Sequence, residues 1–191
     1  MTTASPPAVP RPVAELKPDG IIDAIMGYRK AKILLVAASL DVFTRLRRPL
    51  GASALASALG ADARAVEILL DALAALGYLL KRGGLYENAP ISARYLVEGE
   101  PEYLGQNLKY QDRIWEAWSG LGRAVKKGGG VRPLRSWLGS ADFTREYILG
   151  MDNIAGRPAA EIAGLLDLRG VRDILDVGAG PGTYSAALLR R

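Results

Sequence analysis

The sequence predicts a mainly α-helical chain that passes, over residues 171–191, into the opening unit of an open α/β sheet. Three observations carry this. Apolar residues recur at helical spacing through most of residues 20–170. A hairpin signal interrupts them near residues 78–88. Finally, Asp176-Val177-Gly178-Ala179-Gly180-Pro181-Gly182 sets a glycine turn between an apolar run and an amphipathic helix.

Taken in order, residues 1–19 hold Pro6, Pro7, Pro10, Pro12 and Pro18 with few large apolar groups, and suit a flexible leader. From Gly20 the pattern turns helical. Ile21, Ile22, Ile25 and Met26 mark one face, and Ile33 to Leu40 is apolar nearly all round. Such a helix needs partners on every side. A second subunit is favoured for Ile33–Leu40 over a core position in a monomer.

Ser53 is expected to cap a helix over 54–59 that Gly60 ends, and Asp62 to cap the next, whose stripe is Val66, Leu69, Leu70, Leu73 and Leu76. Strands 78–81 and 85–88, joined across Arg82-Gly83-Gly84, complete a winged helix. A DNA reader would offer donors and positive charge on its second helix. Here the polar positions are Asp62, Arg64, Glu67 and Asp71, a balance that phosphates repel. A DNA-binding regulator therefore stands as the alternative reading.

A short helix over 93–97 leads to a long one over 103–125, with Leu104, Leu108, Ile114, Trp118, Leu121 and Val125 on one stripe and Trp115 beside it. Paired tryptophans suit core or interface packing, or the wall of an aromatic pocket. Lys126 to Gly130 is a break, followed by Pro133. A helix over 142–153 follows, Gly156 interrupts, and Pro158 suits the first turn of another over 157–166.

The 191 residues contain neither cysteine nor histidine, which excludes disulfides, thiol chemistry and imidazole as base or ligand. No metal site is expected. The net charge of +5 is scattered, as on an ordinary surface, so no nucleic-acid partner is expected. The N-terminus lacks a signal-peptide pattern, and Ile33 to Leu40 falls about ten residues short of a bilayer span. A cytoplasmic protein without membrane contact is the expectation.

Spacing narrows the chemistry of the closing turn. The dinucleotide pattern G-x-G-x-x-G fails, because its third glycine would fall on Thr183. The P-loop fails because no lysine follows Gly182. Pro181 removes a backbone donor, a poor choice for clasping pyrophosphate. A carboxylate, Asp176, at the strand end suits a ligand bearing an ammonium and a sulfonium, as S-adenosylmethionine does. The bland reading is a turn that uses glycine for geometry alone.

The 176–182 string resembles motif I of class I S-adenosylmethionine-dependent methyltransferases. The preceding layout is similar to plant-type and bacterial small-molecule O-methyltransferases, in which a winged-helix dimerisation domain precedes a Rossmann-like catalytic domain. The resemblance is carried by Gly27-Tyr28-Arg29-Lys30-Ala31 with Leu40-Asp41-Val42-Phe43, by Leu69-Leu70-Asp71-Ala72-Leu73 with Leu76-Gly77-Tyr78, and by Arg94-Tyr95-Leu96. It implies a leader (1–19), a dimerisation domain (20–100), a helical connector with substrate-pocket helices (101–170) and a first βα unit (171–191).

It further implies that Gly178, Ala179, Gly180 and Gly182 pass along the cofactor, while Asp176 holds its ammonium. On the substrate side it implies Met151 and Tyr147, with Arg157 facing the cleft. The implied partners are a second copy, through the N-terminal helices, and a small hydroxyl acceptor, aromatic or polyketide-like. The family's histidine base, its ribose-binding acid and most of its acceptor site lie downstream of motif I. No catalytic residue is therefore assigned, and about 130–160 further residues would complete a seven-stranded sheet. The expectation is a fragment without turnover of its own, or a dimerising partner of a full-length enzyme.

Overall fold

The computed structural model describes residues 18–130 and 140–191. Residues 1–17 of the expected leader, and Pro133, lie outside the described residues.

Helix α1 runs Pro18–Ser39, so it begins inside the expected leader. Its two halves differ. Leu35, Ala37 and Ala38 are buried and Ile33 and Leu34 partly so, packed within the protomer. Ile21, Ile22, Ile25 and Met26 stand exposed. Within Ile33–Leu40 the protomer itself covers Leu35, Ala37 and Ala38, while Leu40 stays exposed.

A short helix α2 (Val42–Arg45) follows, then strand β1 (Leu50–Gly51), α3 (Ala52–Leu59) and α4 (Ala63–Ala75). Asp62 caps α4 through Oδ1, which accepts from Ala65 N at 2.8 Å. Gly60 ends α3 at φ 61°, as its place in the sequence demands. Ser53 is not a cap: α3 starts one residue earlier, and its side chain sits inside the first turn, where Ser53 O accepts from Ser57 Oγ.

Strands β2 (Leu79–Arg82) and β3 (Leu85–Asn88) form the expected hairpin. Its two-residue turn has Gly83 at φ 55° and Gly84 at φ 79°, the pair of positive values that matches the twist of the strands. The two-residue β1 pairs antiparallel on the other side, giving the order β1-β3-β2. The core lies between this sheet and α1 to α4, with Phe43, Leu46, Leu55, Leu70, Leu73, Leu79 and Tyr86 essentially sealed from solvent. Asn88 Nδ2 donates to Phe43 O and Leu46 O at 2.8 and 3.1 Å, tying the sheet to the end of α2.

Helix α5 (Pro90–Tyr95) leads to α6 (Gly105–Ser119) and α7 (Leu121–Lys127). The single long helix expected over 103–125 is broken at Gly120, whose N–H bonds back to Ala117 O. Trp118, Leu121 and Val125 face solvent rather than a core. By contrast α8 (Ala141–Leu165) is one helix where two were expected. Helix α8 carries Gly156 and Pro158, both exposed, without a break.

Helix α8 packs on α6 and on the last helix, α9 (Thr183–Leu189). A Cβ on buried Gly150 would sit 3.1 Å from Tyr110 Cβ, so glycine sets the close approach of α8 to α6. Residues 171–176 are not the expected strand. They carry no ladder, because no described strand lies beside them, and Leu175 and Val177 are almost fully exposed.

Candidate functional site

The glycine turn joins the unpaired segment to α9. Gly178, Gly180 and Gly182 adopt φ of 78°, 56° and 77°, a region closed to most side chains. A Cβ on Gly178 or Gly182 would meet nothing within 4 Å. The backbone beside these residues is thus open to a ligand. The turn is closed by Gly182 N donating to Ala179 O at 2.9 Å. Asp176 Oδ2 accepts from the Ser185 hydroxyl of α9, which fixes the carboxylate over the first turn of that helix. All five residues expected at a cofactor therefore gather in one exposed loop.

Next to this loop lies a cleft of about 910 Å3, within the range of small-molecule sites. The turn contributes Pro181, Gly182 and Thr183, and α8 contributes Asp152, Asn153, Gly156 and Arg157. The far wall is aromatic and aliphatic, with Tyr78, Tyr95, Tyr103 and Leu108. The Thr183 hydroxyl donates to Asp152, and Asn107 Nδ2 donates to Gly150 O at 3.1 Å, so the turn, α8 and α6 are stitched together around the space. At the rim, Arg94 hydrogen-bonds Glu102 and holds its carboxyl below the usual carboxylate range. Arg157 pairs with Glu161 at 2.8 Å.

Arg157 faces the cleft, whereas Met151 and Tyr147 do not line it. Tyr147 sits edge-on to the Tyr110 ring at 5.5 Å, and Met151 is half-buried on the same helix. Its neighbours Asp152 and Asn153 line the cleft. Trp115 and Trp118 lie elsewhere, around a shallow apolar hollow with Tyr28 and Leu35. Among the described residues no group of acidic side chains could hold a metal ion. The sequence assigns Tyr78, Tyr95 and Tyr103 no place in a site, although Tyr78 and Tyr95 stand in stretches that carry the family resemblance.

A family model described as the O-methyltransferase dimerisation domain matches residues 22–98. Residues 22–98 are thus an O-methyltransferase dimerisation domain. Relatives agree. The 3-hydroxy-5-methyl-1-naphthoate 3-O-methyltransferase of Streptomyces sahachiroi is 31% identical over 180 residues, 91% of this chain and 52% of that protein. The tetracenomycin polyketide synthesis 8-O-methyl transferase TcmO of Streptomyces glaucescens is also 31% identical, over 91% of this chain and 53% of its own length. Among solved structures, PigF with SAH superposes with a TM-score of 0.78 at 28% identity, covering 92% of this chain and 56% of that one. The chain spans about half the length of the curated relatives it matches. The dimerisation domain thus supplies one wall of the cleft, and the glycine turn supplies the other.

Proposed function

We propose that this chain provides the dimerisation domain, the connector helices and the cofactor turn of an S-adenosylmethionine-dependent O-methyltransferase acting on a small aromatic or polyketide-like hydroxyl acceptor. The observation that carries the proposal is the exposed turn of three left-handed glycines beside Asp176, opening onto a cleft walled by the dimerisation domain. The relatives' names, a naphthoate and a polyketide methyltransferase, support the acceptor class.

The residues present fit the cofactor. Asp176 Oδ2 is engaged by Ser185, which leaves Oδ1 for an ammonium, and the open space over Gly178 and Gly182 admits a ligand against bare backbone. When bound, S-adenosylmethionine supplies an electrophilic methyl group on a sulfonium. The chain's own contribution is binding and orientation: Asp176, Gly178, Ala179, Gly180 and Gly182 hold one reactant while the cleft aligns the other, the source of most of the advantage in a two-reactant transfer. No histidine in these 191 residues could take the acceptor's proton.

In this reading 20–100 is a winged-helix dimerisation domain, 101–170 the connector and 171–191 the first βα unit. The dimer forms through the N-terminal helices, where Ile21, Ile22, Ile25 and Met26 lie exposed. The outer face of α4 bears Asp62, Glu67 and Asp71 against Arg64, which argues against nucleic acid as the partner. No described helix is long and apolar enough to cross a membrane.

Calorimetric titration with S-adenosylhomocysteine tests the proposal. Binding is expected in the wild-type chain. It is expected to weaken about five- to thirtyfold in Gly182→Ala, where a side chain at φ 77° costs about 1–2 kcal/mol in the turn. Equal binding by both proteins, or by neither, would refute the assignment of this turn.

A further inference from the structure

The charges that line the cleft do not cancel evenly. Four charged side chains face it: Glu102, Asp152, Arg157 and Arg190. Glu102 is paired with Arg94, and Arg157 with Glu161 at 2.8 Å. Asp152 and Arg190 have no ion-pair partner among the described residues. These two stand at opposite ends of α9. Asp152 is bonded to Thr183, its first residue, whereas Arg190 follows its last, about 10 Å away along the axis. The end of the cleft beside the glycine turn is therefore left with an uncompensated carboxylate.

That carboxylate is held in place. The Thr183 hydroxyl donates to Asp152 Oδ1, and Thr183 directly follows Gly182, so this contact ties α8 to the turn. Asp152 Oδ2 has no donor among the described residues. The space before it is open. Gly156, one turn further along α8, lines the same cleft, and a Cβ on Gly156 or on Gly182 would meet nothing within 4 Å. An oriented carboxylate with a free oxygen and room before it attracts a cation.

The cofactor reading supplies one. S-adenosylmethionine carries two positive centres, an ammonium and a sulfonium. Asp176, which is given the ammonium, does not line the cleft. The acceptor is read as occupying the cleft, so the methyl-bearing sulfonium is the part of the cofactor that must enter it. It enters from the side of Gly182 and Thr183, where Asp152 is the uncompensated charge. A sulfonium has no N–H or O–H to donate, so a protein recognises it by charge and contact.

Resting on the reading of the turn as the cofactor site, we propose that Asp152 is the counter-ion of the sulfonium. The cleft thereby reads the charge on sulfur and holds S-adenosylmethionine in preference to S-adenosylhomocysteine, whose sulfur is neutral.

Calorimetric titration of the full chain with three ligands tests this: S-adenosylmethionine, S-adenosylhomocysteine and sinefungin. Sinefungin carries an amine in place of the methylated sulfur's charge, and so separates charge from sulfur chemistry. Two unit charges in contact in water are worth about fivefold in affinity. Asp152→Asn keeps an oxygen for Thr183 and removes only the charge. It should weaken S-adenosylmethionine and sinefungin about fivefold each and leave S-adenosylhomocysteine unchanged. Asp142→Asn removes the same charge about 15 Å away along α8, beyond the screening length of physiological salt, and should leave all three affinities alone.

An unchanged affinity for S-adenosylmethionine in Asp152→Asn would overturn the proposal. Equal weakening of all three ligands would do so too, because Asp152 would then hold a part they share. The same holds for a loss that spares sinefungin, or for a like shift in Asp142→Asn. S-adenosylhomocysteine reports separately on the cofactor reading. Its binding to the wild-type chain, with no change in ligand preference in Asp152→Asn, defeats the Asp152 proposal alone. Binding of none of the three defeats the cofactor reading and this proposal with it.

Discussion

The exposed half of α1 makes a quantitative prediction about assembly. Ile22 and Ile25 lie about one turn apart and are 55% and 53% exposed in the protomer. Burying a whole isoleucine side chain contributes about 1.5–3 kcal/mol, so sealing the remaining half of each contributes about 1 kcal/mol. In a two-fold dimer each residue occurs twice, and the pair together accounts for about 4 kcal/mol. The double variant Ile22→Ala/Ile25→Ala should therefore weaken dimerisation about a thousandfold. Alanine is the best helix former, so α1 should persist and far-UV circular dichroism should not change. Sedimentation equilibrium over a range of concentrations reads the constant directly. Ile68→Ala, at 61% exposure on α4, is the matched control and should leave it alone. An unchanged dimer in the double variant would refute the reasoning. So would a loss that comes with loss of helix, since the effect would then be on folding rather than on contact.

Three further outcomes concern stability. Asp62→Ala removes the side chain that satisfies Ala65 N and should cost about 1 kcal/mol in urea unfolding. Ser92 is fully buried in α5 with no partner for its hydroxyl, so Ser92→Ala should raise stability by about 1 kcal/mol; a clear loss would reveal a hidden partner. Asp71 accepts from both Lys81 and Tyr86 at 2.6 Å, and Lys81 first, then Tyr86, holds its carboxyl below the ordinary 3.8. A depressed acid stabilises above its unfolded pKa and loses that contribution as pH falls through the folded one. The gap between wild type and Asp71→Asn should thus be full at neutral pH and close below about pH 3.8. Lys81 is shifted upward by Asp71, so its share should persist to pH 10.5 and fade above it. A gap independent of pH would show that the pair contributes by packing alone.

Much of the local structure was legible because its causes are local. Asp62 caps α4, Gly60 closes α3, and Gly83-Gly84 makes the hairpin turn, each through chemistry confined to a few neighbouring residues. Ser53 misled because a serine near a helix start is a cap only if the helix begins just after it, and α3 begins earlier. The strand at 174–177 failed for a different reason: a strand is completed by its neighbours, and its own residues cannot provide them. In the site, the cofactor turn was readable as a contiguous motif. The tyrosine wall of the cleft was not, since Tyr78, Tyr95 and Tyr103 come from separate stretches that meet only in the fold.

Glycines and apolar runs show where pattern stops being informative. Gly178 and Gly105 look alike in sequence, yet one is required by backbone sign and the other by a ring lying over it. The same ambiguity governs α1. The densest apolar stretch, Ile33 to Leu40, invited a partner subunit, but α2, α4 and α6 of its own chain already pack around α1. The sparser stretch, Ile21 to Met26, lies beyond the reach of those helices and stays uncovered. Apolar density measures how much surface must be buried. Which surface is left for a second copy depends on where the protomer's own elements end, and on α1 that boundary falls between Met26 and Ile33, about two turns of helix.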